Sequence, residues 1–208
     1  MSSHLQGSLF EAGAEPGLGS LDGLRRVELG HGAWVDHLPG WLTGADELFE
    51  SLVGSVPWRA EQRTMYDRDV AVPRLLARYR GGQALPHPLL DQARDALSEH
   101  YRPELGEPFV SAGLCYYRDG RDSVAWHGDR IGRGATTDTM VAIVSVGEPR
   151  QLLLRPLGGR TTAGYPLGHG DLLVMGGSCQ RTFDHAVPKT AKPVGPRISV
   201  QFRPHGVS

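Results

Sequence analysis

Two segments in the N-terminal half repeat apolar residues at helical spacing. After Thr43, the residues Leu48, Phe49, Leu52 and Val53 form one stripe, and Thr43-Gly44-Ala45-Asp46 offers an N-cap with an acid three residues on. "HPLLDQARDALSEHYR" (87–102) puts Pro88 in a first turn and Leu89, Leu90, Ala93 and Leu97 on one face. Pro103 is expected to end that helix. From about residue 109 the period shortens to two. Runs suited to strands occur at 110–118, 122–127, 139–146, 150–155, 171–175 and 197–203, separated by Gly, Pro and Asp, and Asp119-Gly120 is a hairpin signal. Six or more short strands without long helical crossovers predict an antiparallel sandwich or barrel, not a doubly wound parallel sheet. The expected fold is therefore α+β, mainly β, with two helices supporting a β-core. Residues 1–32 are rich in Gly, Ser and Glu and lack a clear period, so they are expected to be a loosely structured arm ahead of one domain, 33–208.

Composition narrows this only in part. The chain of 208 residues is 39% hydrophobic and 22% charged, as a globular protein is. No apolar run is long enough to span a membrane, and the first residues lack the basic start and apolar stretch of a signal peptide. Cys115 and Cys179 both sit in apolar runs and read as free thiols. A cytoplasmic monomer is the expectation. Net charge is −1, but its distribution is uneven: residues 1–60 carry eight acids and three bases, and residues 117–208 seven acids and twelve bases. Arg118, Arg121, Arg130 and Arg133 bracket one short motif and could form a basic rim for a phosphate backbone. A solvated loop with scattered arginines is the alternative.

That motif is His-Gly-Asp, and it occurs twice, at 127–129 and 169–171. On an extended segment, residues i and i+2 point to one side, so either copy could chelate an ion. Two ligands hold a metal poorly, and His185 in "TFDHAVPK" is the best third. Two histidines and a carboxylate on one face leave positions open and suit Fe(II) oxygen chemistry. The second copy opens the apolar run Leu172-Leu173-Val174-Met175 and reads as a turn. The first closes Val124-Ala125-Trp126 and faces a loop rich in Gly, Arg and Thr, as an accessible site requires. The last strand, "GPRISVQFRP", alternates strictly: Ile198, Val200 and Phe202 on one face, Arg197, Ser199, Gln201 and Arg203 on the other. Two arginines beside a three-ligand iron site could embrace a small dianion such as 2-oxoglutarate.

Read together, "YYRDGRDSVAWHGD", "VSVGEPRQLLLRP", "LGHGDLLVMGGSCQRTFDHAVPK" and "PRISVQFRP" resemble the AlkB family of Fe(II)- and 2-oxoglutarate-dependent dioxygenases, over roughly residues 33–204. The resemblance implies a double-stranded β-helix (jelly roll) with N-terminal helices and a substrate lid. It implies Fe(II) on His127, Asp129 and His185, and 2-oxoglutarate held by Tyr117, Arg197 and Arg203 with help from Ser199; which arginine takes which end is left open. Dioxygen is the other co-substrate. The implied activity is oxidative demethylation of N-alkylated bases in DNA or RNA, releasing succinate, CO2 and formaldehyde. Tyr66, Tyr79, Trp126, Arg130 and Arg133 are the candidates for contact with the nucleic acid, and Trp126 is also expected to pack under the site. The chain departs from the pattern at Cys115 and Ser199, where family members often carry asparagine, and at Arg130, where DNA-repair members tend to have acids just after the iron-binding Asp.

Those departures keep a second reading alive, a 2-oxoglutarate oxygenase of a protein or small molecule. A jelly-roll binding module without turnover is the third. No Gly-x-Ser-x-Gly elbow exists to support a hydrolase.

Overall fold

A computed structural model describes residues 15–65 and 68–207, with the backbone path alone for the side chains of 62–71. In chain order the elements are β1 (Gly17–Leu18), β2 (Arg25–Gly30), β3 (Ala33–Leu38), β4 (Leu42–Thr43), α1 (Ala45–Ser55), β5 (Arg59–Met65), β6 (Arg68–Tyr79), α2 (Pro88–Leu105), β7 (Ser111–Tyr117), β8 (Val124–His127), β9 (Val141–Gly147), β10 (Arg150–Pro156), β11 (Ala163–Leu167), β12 (Asp171–Gly177), α3 (Cys179–Thr182), β13 (Phe183–Val187) and β14 (Arg197–Arg203).

Eight strands form a large sheet in the order β2-β3-β12-β9-β14-β7-β6-β5, and four form a small one, β11-β10-β13-β8. Neighbours within both sheets pair antiparallel. The jelly roll implied by the resemblance is the fold observed. Strand alternation divides the core in two. Val144 and Val146 of β9, Leu172 and Val174 of β12, and Ile198, Val200 and Phe202 of β14 pack with Leu48 and Leu52 of α1 and Leu90 and Leu97 of α2. Ile143, Leu173, Met175 and Phe183 fill a second cluster with Leu152 and Leu154 of β10. Burying one such aliphatic side chain contributes about 1.5–3 kcal/mol. The site lies on the second side, where β14 turns its polar residues inward.

Several expectations change. The helix after Thr43 starts at Ala45, but Gly44, at φ 60, is the residue before it and no side chain caps it, so the Thr43 capping box does not form. Pro103 does not end α2. It lies in the last turn, and Gly106 at φ 75 closes the helix through its N–H to Arg102 O. The N-terminal half is more than two helices: β2, β3, β5 and β6 supply half of the large sheet. Within the expected arm, β2 pairs with β3, and Arg26 makes an ion pair with the buried Asp36, which also accepts from Tyr101. β2 is largely exposed, so its pairing is carried by backbone and leaves no apolar period to read.

Candidate metal and co-substrate site

β8 and β13 are neighbours, and His127 stands directly opposite His185. Their ring centroids are 4.2 Å apart. Asp129 follows two residues later, and one potential ligand atom from each of the three side chains lies within 4.8 Å of the others. The chain can bring them together because Gly128 has no side chain: a Cβ there would sit 2.7 Å from Gln180 O, and one on Gly134 would lie 2.0 Å from Asp129 O.

Each ligand is oriented from behind. His127 Nδ1 lies 2.9 Å from Ala125 O, which leaves Nε2 for an ion when Nδ1 carries the proton. The Asp129 N–H donates to Gln180 Oε1 at 3.1 Å, and its Oδ2 accepts from Arg203 Nε at 2.7 Å. Burial opposes ionisation of Asp129, but Arg203, by its charge and its hydrogen bond, more than offsets it, and the carboxyl is held below its ordinary range. Burial, reinforced by His127 alongside, pushes His185 down to about 3, and burial also lowers His127. Two neutral imidazoles and one carboxylate are the donors that Fe(II) takes.

The second His-Gly-Asp does none of this. His169 Nδ1 accepts from Gly147 N at 2.9 Å, and its Nε2 lies 3.2 Å from Asp46 of α1. Asp171 accepts from the N–H groups of Gly40 and Gly168. The copy is the strand-opening turn expected from sequence.

Further along the inner face of β14, Arg197 is 2% exposed. Its Nε donates to Ser145 Oγ at 2.8 Å, and its guanidinium lies 5.3 Å from the Tyr117 ring centroid. Its buried Nη1 has no partner. Burial lowers the Arg197 pKa and pushes the Tyr117 phenol up to about 12. A buried cation with a spare donor and no carboxylate alongside is costly unless an anion completes it, so the pocket fits a carboxylate. The two arginines are thus distinct: Arg203 is engaged by Asp129 at the metal end, and Arg197 stands at the far end. Ser199 lies buried between them, directly opposite Cys115 in the β7–β14 register. The Gln201 amide lies over both, donating to the Ser199 carbonyl at 3.0 Å and accepting from Cys115 Sγ at 3.7 Å. Both cysteines are free.

The proposed nucleic-acid contacts fare differently. Tyr66 lies outside the described residues. Tyr79 does not face the site; alternation along β6 turns it to the helix-side cluster. Trp126 projects from β8 next to His127 and carries Arg155 over its ring at 4.3 Å; it borders a hollow with Leu153, Ala186 and Pro188 instead of flooring the metal ligands. Arg130 pairs with Asp184 at 2.7 Å, and Arg133 with Glu107 at 2.6 Å. Arg118 and Arg121 pair with Asp122 and Asp119. Each arginine of the expected basic rim is therefore engaged by a carboxylate, although Arg130 shares Asp184 with Arg155. Sequence reasoning also missed Gln180, Ser145, Arg150 and Arg74. Arg150 is 4% exposed and donates to the carbonyls of Asp119, Asp122 and Pro188. The β6 alternation, with Arg74, Leu76, Arg78 and Arg80 on one face, was the available signal for Arg74.

The sequence profile of the 2OG-Fe(II) oxygenase superfamily matches residues 35–203, and the chain belongs to that superfamily. Within it, the chain is an AlkB-family member. It is 33% identical over 195 residues to the alpha-ketoglutarate-dependent dioxygenase alkB homolog 3 of Bos taurus, covering 79% of this chain and 64% of that one. It is 30% identical to the uncharacterized protein R406 of Acanthamoeba polyphaga mimivirus, covering 77% of this chain and 88% of that one. It is 29% identical to the DNA oxidative demethylase ALKBH2 of Arabidopsis thaliana, covering 86% and 68%. The chain thus spans less than two thirds of the length of the alkB homolog 3 relative. Two solved structures at 16% identity share the fold: OsALKBH1, with a TM-score of 0.57 over 87% of this chain and 100% of that one, and a prolyl hydroxylase from Trichoplax adhaerens in complex with a peptide fragment, with a TM-score of 0.59 over 82% and 83%. His127, Asp129 and His185 are the residues that would hold the metal of a 2OG-Fe(II) oxygenase in this chain.

Proposed function

We propose that this protein removes alkyl groups oxidatively from nitrogen atoms of bases in DNA or RNA, with His127, Asp129 and His185 holding Fe(II) and Arg197, Tyr117, Ser199 and Arg203 holding 2-oxoglutarate. The observation that carries the reading is the pairing of a three-ligand cluster on the small sheet with a buried, incompletely bonded guanidinium on the inner face of the large sheet. The printed names of the alkB homolog 3 and ALKBH2 relatives supply the substrate class.

When bound, the metal and its co-substrates oxidise a C–H bond while 2-oxoglutarate becomes succinate and CO2. An N-methyl group hydroxylated in this way breaks down to formaldehyde and the bare nitrogen. The chain supplies the rest. Ala125 O and Gln180 set the orientation of His127 and Asp129. Arg203 keeps Asp129 ionised and turned toward the histidines. Arg197 takes the distal carboxylate, with Ser145 fixing its Nε. The apolar shell of Ile143, Leu173 and Met175 keeps water from the pocket. A base in a duplex must leave its stack to enter, at a cost of a few kcal/mol, less in a single strand.

One observation favours a protein or small molecule as substrate instead: all four arginines near the first His-Gly-Asp are engaged by carboxylates, and the only surplus cation of these pairs among the described residues comes from Arg130 and Arg155 sharing Asp184. Oligonucleotides carrying 1-methyladenine or 3-methylcytosine, incubated with Fe(II), 2-oxoglutarate and O2, separate the two. Formaldehyde release in step with succinate supports dealkylation of nucleic acid; succinate formation that no oligonucleotide stimulates supports the other substrate class.

A further inference from the structure

The strand register aligns a second cation with Arg197. β6 pairs with β7 so that Leu75 faces Tyr116 and Leu76 faces Cys115, and β7 pairs with β14 so that Tyr117 faces Arg197. Residues directly opposite share a face of the sheet. Arg74, one step beyond Leu75, therefore completes a row Arg74–Tyr117–Arg197 across three strands, on the face that carries the site. Its Nη1 donates to Ser123 O at 3.0 Å, and the Ser123 N–H donates to Pro73 O at 2.7 Å. Ser123 leads directly into β8 and His127. The Nε of Arg74 is buried and has no partner, as is true of Arg197 Nη1.

Arg150 and Arg197 lie 5.7 and 5.3 Å from the Tyr117 ring centroid, Arg74 joins them by register and bears on the phenol by its charge, and none of the three forms an ion pair with a carboxylate among the described residues. Arg150 is satisfied by three carbonyls. Arg74 and Arg197 each keep an unused buried donor, and a carboxylate has about four lone-pair sites to offer, enough for both together with the Tyr117 phenol. Arg74 also stands on the β5–β6 hairpin, outside the strands that carry the metal ligands.

We propose that Arg74 is a second cation for the distal carboxylate of 2-oxoglutarate, so that the β5–β6 hairpin and the co-substrate pocket share a residue. This rests on the co-substrate site described above. Arg74 joins the co-substrate to β8 through Ser123, and co-substrate binding tightens the hairpin against the barrel.

The test is calorimetric titration of 2-oxoglutarate into the Mn(II)-loaded protein without oxygen, for the wild type and the R74Q, R74K and R197M variants. A parallel titration uses 2-oxobutyrate, which keeps the keto-acid end and lacks the second carboxylate. R74Q is expected to weaken 2-oxoglutarate about ten- to a hundredfold, the range for a charge-assisted hydrogen bond, and to leave 2-oxobutyrate unchanged. R74K, which keeps the charge and loses the fork, is expected to fall between and serves if R74Q does not fold. In steady state the loss appears in the KM for 2-oxoglutarate before kcat. Added 2-oxoglutarate is expected to slow backbone hydrogen exchange over residues 72–79 in the wild type but not in R74Q. Wild-type affinity in R74Q or R74K, or an equal loss for both keto acids, overturns the proposal and leaves Arg74 a structural tie. Wild-type affinity in R197M overturns the underlying pocket assignment instead.

Discussion

The chain carries the same tripeptide twice, and the two copies are used in opposite ways. At 127–129 the imidazole and carboxylate turn toward His185 and keep donor atoms for a ligand. At 169–171 nearly every polar group is consumed within the fold: His169 by Gly147 and Asp46, Asp171 by Gly40 and Gly168, and the Gly170 backbone by Ser145 and Leu42. Even the glycines differ. Gly170 has a φ of 81 and is crowded by Leu42 O as well, whereas Gly128 is needed for want of space alone. A metal-binding tripeptide is thus defined by what its side chains leave unsatisfied.

Substitutions break this contrast at graded cost. His185→Ala and His127→Ala are expected to abolish turnover and Fe(II) binding, measured by metal content and succinate release, with the fold retained. His169→Ala should keep turnover and instead lower stability by about 1 kcal/mol, the net worth of a typical hydrogen bond, read as a lower melting temperature. Asp171→Ala leaves two backbone N–H groups without acceptors and is expected to cost about 2–5 kcal/mol in denaturant unfolding, with activity per folded molecule unchanged. Gln180→Ala, which releases the Asp129 backbone, is expected to weaken iron binding about tenfold. The smallest effect is expected at the periphery of the first copy. Separating Arg121 from Asp119, an exposed pair, by Asp119→Asn should leave the melting temperature nearly unchanged and, if nucleic acid is the substrate, tighten its binding at low salt as Arg121 becomes available.

The same contrast explains what could be read in advance. β14 was legible to the residue because three large apolar side chains alternate with polar ones; spacing offered the first His-Gly-Asp and His185 as candidates, the resemblance to a family grouped them, and the fold brings them together. β2 was not, because its side chains are largely exposed on both faces. β6 was not, because arginines occupy its site-facing positions and Pro73 interrupts it. Arg150 and Gln180 escaped for a different reason: they bind backbone carbonyls or a backbone N–H on remote strands, and no residue pattern marks such a partner. The arginines around the first copy were legible as charges, but their carboxylate partners, Glu107 and Asp184, lie 26 and 54 residues from Arg133 and Arg130 and became neighbours only through the fold.

Arg150 grips the carbonyl of Asp122, just before β8, and that of Pro188, just after β13. These are the ends at which Val124 meets Val187; the histidines occupy the other. The two imidazoles are therefore like the tips of tongs whose hinge is a guanidinium that touches neither of them. Iron affinity in this protein can drift through changes at that hinge while every ligand stays in place.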